Sequence, residues 1–363
     1  MSLIEQIDYE KMDIIGDIHG EYDALLNLLS VLGYDRQGNH KEHRKLIFVG
    51  DFCDRGPLTP SVIRLVHHLI QNGNAKAVLG NHELNLIRNK PKDGNGWFFE
   101  ERELLDKKYL PYEKVQDEDR EFIRHFMLHL PLAIEHPEMN IVHAVWSEDA
   151  INKLRTYQLG QIIQAYDDFE HAIQEEVRTT GLLERYKAEQ RQWRDYLSDS
   201  KAKVPMLEAS ADYQVIQQVN NPIRLLTSGV EVKVEKPFYI HGRWRFAQRE
   251  DWWNNYQGEK PVIVGHFWRK IYKDKNAETD ENLFHKIHSF SWHGNKNNVF
   301  CIDYSVGGRF VERNMNWTLG EKTALAALRW PENEIVLDNG QKYQTKNFKK
   351  NSMQSFFQLK NKF

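Results

Sequence analysis

The sequence predicts an α/β protein on three observations. Apolar runs at Met12 to Ile15, Leu46 to Val49 and Ala77 to Leu79 are short, aliphatic or β-branched, and end at glycine, which suits buried strands better than helices. Past a loop, each is followed by an amphipathic stretch of helical period: Tyr22 to Leu32, Pro60 to Gln71 and Glu83 to Asn89. The loops recur at intervals of roughly 30 residues, the length of one βαβ crossover. Three strands are therefore expected to bring their loops to one edge of a single sheet.

The remaining elements follow in order. Glu100 to Arg124 is rich in charge with aromatics interleaved and reads as helical and peripheral. Asn140 to Val142 is a strand that delivers His143 at its end. From Ser147 to about Lys203 the chain is polar and helix-favouring, with Phe169, Ile173, Val177 and Leu182 spaced along it. Pro261 to Gly265 again gives strand and glycine before His266, Val299 to Asp303 is a buried-strand candidate, and Leu325 to Leu328 with Ile335 to Leu337 close a sheet edge. The expected partition is a core built from 10–146 and 237–340, an inserted, mainly helical lobe at 147–236, and a C-terminal tail at 341–363.

Composition narrows the class of function. With 49 basic against 52 acidic side chains the net charge is −3, so no global field favours nucleic acid or a membrane surface, and a polyanion has to be met locally. Hydrophobic residues at 40% suffice for a sizeable core. Cys53 and Cys301 are the only cysteines, too few for a disulfide framework, and no basic-then-apolar leader or membrane-length run is visible. The expected compartment is the cytoplasm.

The chemistry lies in the loops. Gly16-Asp17-Ile18-His19-Gly20, Gly50-Asp51-Phe52-Cys53-Asp54-Arg55-Gly56 and Gly80-Asn81-His82-Glu83 each place oxygen or imidazole donors just past a strand. Asp17, His19, Asp51, Asn81, His143 and His266 mix carboxylate, amide and imidazole, a set that suits Mn²⁺, Fe or Zn²⁺ better than Mg²⁺ alone. Two ions a few ångströms apart need a shared ligand; Asp51 is the expected bridge, with a hydroxide in the other bridging position attacking phosphorus in line. Asn81 would also serve as a helix N-cap with Glu83 in the first turn, a role compatible with facing a metal.

These motifs, with Val142-His143-Ala144 and Val264-Gly265-His266, resemble those of the calcineurin-like metallophosphoesterases, in the branch of Ser/Thr protein phosphatases and bacterial diadenosine tetraphosphatases. The resemblance implies a β-sandwich core flanked by helices and two divalent metal ions per chain, Mn²⁺ foremost. It implies that Asp17, His19 and Asp51 hold the first ion and Asp51, Asn81, His143 and His266 the second. His82 would protonate the leaving group, oriented by Asp54, while Arg55 grips the phosphate. No motif fixes a second phosphate-binding arginine, and Arg243 is the candidate. Where relatives place glycine soon after the strand-end histidine, this chain has Ala144-Val145-Trp146, and the bulk of Trp146 is expected to narrow the cleft. The implied activity is hydrolysis of phosphomonoesters on phosphoproteins, with a dinucleoside polyphosphate as the alternative substrate and a non-catalytic binding module as the third reading. Trp244, Trp252, Trp253, Trp268 and Trp292 are read chiefly as packing residues that would stack a base in the nucleotide case.

Overall fold

Strands buried on both faces divide their side chains between two cores, and the central strands here do so. Ile14, Ile47, Val49, Ile141, Ile263, Phe300 and Leu328 lie in one apolar cluster; Ile15, Leu46, Phe48, Val142, Val264, Cys301 and Ala327, their alternates, lie in another. The computed structural model describes residues 2–240, 242–271 and 283–348. Its strands are β1 (Ile4–Gln6), β2 (Met12–Ile15), β3 (Lys45–Phe48), β4 (Ala75–Ala77), β5 (Ala133–Glu135), β6 (Asn140–Val142), β7 (Glu231–Ile240), β8 (Arg243–Arg249), β9 (Val262–Val264), β10 (Val299–Cys301), β11 (Ala326–Trp330), β12 (Glu334–Leu337) and β13 (Lys342–Gln344). A six-stranded sheet in the order β13-β12-β11-β2-β3-β4 and a five-stranded sheet in the order β1-β5-β6-β9-β10 enclose the first cluster. Helices pack outside them over the second, which gives the expected α/β architecture of mixed sheets flanked by helices.

Register decides where the loops go. Strands β2, β3 and β4 are parallel neighbours, so the three motif loops leave the same edge. In the other sheet β6 and β9 are parallel, which brings the loops carrying His143 and His266 side by side. The helices are α1 (Tyr22–Leu32), α2 (Thr59–Gln71), α3 (Asn81–Ile87), α4 (Asp117–Leu128), α5 (Glu148–Leu154), α6 (Ile162–Thr179), α7 (Leu182–Trp193), α8 (Glu208–Val219), α9 (Pro222–Ser228) and α10 (Arg309–Asn314). Helix α1 shows why such stretches fold: Ala24, Leu25, Leu28, Leu29 and Leu32 form one buried stripe, and Gly33 at φ 95° ends it by donating to the Leu29 and Ser30 carbonyls.

Three segments differ from expectation. Residues 100–116 are turns and two short 3₁₀ stretches, and regular helix begins only at Asp117. The buried Asp106 carboxylate accepts from the amides of Gly94 and Gly96 and from Arg102, tying this backbone into a loop, and Pro111 cannot donate within a helix. Next, the polar and apolar alternation of Glu231–Ile240 and Arg243–Arg249 forms a hairpin that straddles residue 236. It packs on the helices before it, with Phe246 joining Leu197, Val204, Leu207 and Ala211 in a small core. Finally, Lys342–Gln344 adds a strand to the six-stranded sheet, while residues 349–363 of the expected tail lie outside the described residues. No described helix is long and apolar enough to cross a membrane.

A buried polar knot joins β2 to β11. Asp13, fully buried, accepts from Arg44 Nε and Nη2 and from Arg329 Nε at 3.0 Å each, and from the Tyr34 hydroxyl at 2.8 Å. Arg44 is itself buried and also donates to the Met12 and Trp330 carbonyls.

Candidate metal centre and catalytic cleft

The loops after β2, β3 and β9 turn sharply, and the turns fall on the functional residues. His19, Asp51, Asp54, Arg55 and His266 all have positive φ, between 48° and 74°, a region non-glycine residues enter only when the surrounding structure compels it. Motif glycines let the loops close on the carboxylates. A Cβ on Gly80 would lie 2.2 Å from Asp51 Oδ1, and one on Gly265 2.0 Å from Asp17 Oδ1. Gly80→Ala is therefore expected to displace Asp51 and lower kcat by about a hundredfold, with secondary structure intact by circular dichroism; wild-type kcat would refute the close-approach account.

Asp51 is the hub. Its Oδ2 lies 3.3 Å from His143 Nε2, 3.8 Å from His19 Nε2 and 3.9 Å from His82 Nε2. His19, Asp51 and His82 form one group able to hold a metal ion, and Asp51, His143 and His266 another. Asp17 Oδ2 stands 3.9 Å from His19 Nε2, and Asn81 Oδ1 stands 3.3 Å from His143 Nε2. All six sequence-predicted ligands thus meet at one place. The imidazoles are oriented from behind, since His19 Nδ1 and His143 Nδ1 donate to the Cys53 and Val49 carbonyls at 2.9 and 2.7 Å, aiming each Nε2 inward. His266 Nε2 donates to the Ser228 carbonyl, leaving Nδ1 as its free donor atom.

Electrostatics tests whether cations fit. Burial, with Asp303 and Asp51 adding, pushes Asp17 well above the carboxylate range. Burial also opposes charge on Asp51, yet His143, His82 and His19 outweigh it and hold Asp51 well below that range. His143 is pushed the other way, to about 10, because Asp51 overcomes burial. Burial, followed by Arg55 for His19 and by Arg249 for His266, pushes those two imidazoles well down. His19 and His266 are thus held neutral, while Asp51 keeps its charge against the raised His143; carboxylates and oriented imidazoles buried together are the donor set of a divalent transition metal, and the residues fit it.

Around this centre, Asp54 Oδ2 sits 2.5 Å from His82 Nδ1, so His82 presents Nε2 to the cleft. Trp97 Nε1 donates to the other Asp54 oxygen at 2.7 Å. Arg55 reaches His19 Nε2 at 3.1 Å and lies over the Trp268 ring, 4.8 Å from its centroid. The buried Glu83 carboxylate accepts from the amides of Asp51, Phe52 and Gly80, clamping the second loop to the start of α3. The resulting cleft, about 860 Å³, is also lined by Asp93, Arg102, Lys108, Tyr109, Arg249 and Phe310. The segment expected to be peripheral is thus one of its walls.

Two expectations are corrected. Arg243 lies at the far end of β8, against a separate pocket with Tyr186 and Trp244; the arginine of that strand at the cleft is Arg249, because β8 runs toward the metal loops. Trp146 is buried and donates to Glu148, so the cleft is bordered instead by Trp268. Trp252, Trp253 and Trp292 are core residues. Sequence reasoning missed Trp97, Arg249 and the clamping role of Glu83. Only Glu83 carried a signal, as the last letter of its loop motif.

Comparison with known proteins adds the following. The sequence model of a family described as calcineurin-like phosphoesterase matches residues 11–204. A protein of Oceanobacillus iheyensis named bis(5′-nucleosyl)-tetraphosphatase PrpE (asymmetrical) is 33% identical over 157 residues, 39% of this chain and 59% of its own length. One of the same name from Halalkalibacterium halodurans is 48% identical over 81 residues, 22% of this chain and 33% of its own. The chain thus spans less than two thirds of the length of these curated relatives. A solved protein serine/threonine phosphatase from Saccharomyces cerevisiae aligns over 96% of this chain and 85% of its own at 12% identity, with a TM-score of 0.42.

Proposed function

The chain belongs to the calcineurin-like phosphoesterase family, a hydrolase of phosphoester bonds, and from that premise we propose that it hydrolyses dinucleoside polyphosphates. The observation that carries this reading is the cleft wall: Arg55 and Arg249, with Arg102 and Lys108 paired to Asp93, stand beside Tyr109, Trp268 and Phe310, two guanidiniums for a phosphate chain next to π-faces a base can use. The names of the curated relatives support it.

In this reading Asp17, His19 and Asp51 hold one metal ion and Asp51, Asn81, His143 and His266 the other, with Mn²⁺ the proposed occupant. When bound, the ions supply an acidified water and neutralise phosphate oxygens. Arg55 and Arg249 bind the phosphate chain. His82 Nε2 carries the proton for the leaving oxygen; Asp54 holds the Nδ1–H, and Trp97 holds Asp54. His82→Ala is expected to slow a substrate with a poor leaving group by about 10²-fold or more and p-nitrophenyl phosphate far less; equal losses would remove the acid role. Trp97→Phe, which leaves one buried Asp54 oxygen unpaired, is expected to lower kcat about tenfold with little change in KM, and an unchanged kcat would deny Trp97 that role.

Phosphomonoester hydrolysis on phosphoproteins would use the same reacting residues, so substrate comparison decides. Metal-stripped protein is assayed with diadenosine tetraphosphate, a phosphopeptide and p-nitrophenyl phosphate, with Mn²⁺, Mg²⁺ or Zn²⁺ restored. The expected result is metal-dependent turnover with the highest kcat/KM for the dinucleotide. Preference for the phosphopeptide would replace this reading with the phosphoprotein one.

A further inference from the structure

The catalytic cleft does not end at Arg249 and Trp268. Both residues also line a groove of about 1410 Å³ between the β7–β8 hairpin and the core, so groove and cleft adjoin at these two side chains. Two features give the groove a chemistry. Apolar side chains, Phe238, Ile240 and Phe267 among them, form part of its lining beside charged ones that include Glu231 and Lys270, and Ile240 is 43% exposed and Trp268 37%. Along it stand alternate residues of β8, Arg245, Ala247 and Arg249, on one face of the strand. Their backbones pair with β7, but neither the Arg245 nor the Arg249 guanidinium has an ion pair or hydrogen bond among the described residues.

We infer that this groove is the subsite for the nucleoside remote from the cleaved phosphate, so that the hairpin selects substrate length. This rests on the dinucleoside polyphosphate reading. The order of groups from cleft to groove matches such a molecule from one end to the other. Donors for metal and phosphate lie at Asp51 and Arg55, a guanidinium for the next phosphates at Arg249, and beyond it an apolar slot edged by Arg245. A base is a flat, weakly polar ring that gains by leaving water against apolar and aromatic side chains. Trp268 fits the turning point, since Arg55 covers one of its faces and the ring remains partly open to solvent.

Ile240 and Arg245 touch no proposed metal ligand, so they test the groove without touching the chemistry. For Ile240→Asp and, separately, Arg245→Ala, kcat and KM are measured on diadenosine tetraphosphate, on adenosine tetraphosphate, which lacks the second nucleoside, and on p-nitrophenyl phosphate. The expected result is a rise in KM of about tenfold for the dinucleotide, with kcat retained and the two smaller substrates unaffected. Equal effects on all three, or none on the dinucleotide, would overturn the subsite. A wild-type enzyme that cleaves p-nitrophenyl phosphate but not the dinucleotide would overturn the functional reading itself, and the subsite with it. Arg245→Lys, which keeps the charge, is expected to recover part of the lost affinity. If Ile240→Asp unfolds the hairpin, Ile240→Ala and Arg245→Ala still decide the matter.

Discussion

Asp51→Asn is expected to lower kcat by at least about 10³-fold, with the melting temperature within a few degrees of wild type. Asp51 Oδ2 is the atom on which three imidazoles converge, within 3.9 Å, and it is common to both groups able to bind a metal. An amide at this place removes the negative charge and one of two oxygen donors, and it turns an N–H toward imidazole lone pairs. Most of what holds the loop does not depend on that charge, and the His82 amide, which donates to Oδ1 at 3.0 Å, finds the same oxygen on an asparagine. The Asp51 amide donates to Glu83, and its carbonyl accepts from the Ile18 and His19 amides. Bound metal per chain, measured after dialysis against Mn²⁺, should fall along with kcat. Metal-dependent turnover within tenfold of wild type would dismiss Asp51 as the bridge.

The largest effect on stability is expected far from the cleft, at Asp13. Asp13→Asn should reduce the unfolding free energy by about 3–5 kcal/mol, because removing one member of a buried ion network leaves its partners charged and unpaired. Arg44 and Arg329 both point at this carboxylate, and Tyr34 donates to it. Glu332 accepts from Arg44 but is 40% exposed, so water weakens what it can replace. Denaturant unfolding of the two proteins measures the difference, and a loss under about 1 kcal/mol would mean that the network contributes little. The double variant Asp13→Asn with Arg329→Met should be less destabilised than the sum of the single changes, since it removes one of the stranded charges.

Short-range chemistry was the legible part of this chain. Apolar runs located β2, β3, β6 and β9 to within about a residue or two, whereas the run Ala77 to Leu79 overlaps β4 at one residue only, and the six donors behind these runs lie together. Legibility fell where position depends on a distant partner. Trp97 comes to Asp54 only through the loop that Asp106 ties, and neither residue carries a local mark of that contact. Arg243 and Arg249 look alike in sequence; which one reaches the cleft depends on how the hairpin leans on α8 and Leu197, a matter of packing between separate elements. The charged segment after Phe99 begins in turns, and its buried Asp106 carboxylate is tied back to the amides of Gly94 and Gly96, a contact across the chain that no local pattern announces.

The separation of the donors along the polypeptide also sets a timetable. Asp17 to His82 leave the ribosome early, but His143 comes from the second sheet, and His266 follows the whole helical lobe. At about 5–20 residues per second, the interval between His82 and His266 is on the order of ten seconds or more. During that time the first three loops exist with only part of their donor set, and the parallel pairing that seats β9 beside β6 joins residues more than a hundred positions apart, the kind of contact that forms slowly. A nascent chain therefore lacks part of this donor set until His266 has been made and β9 has found its place beside β6.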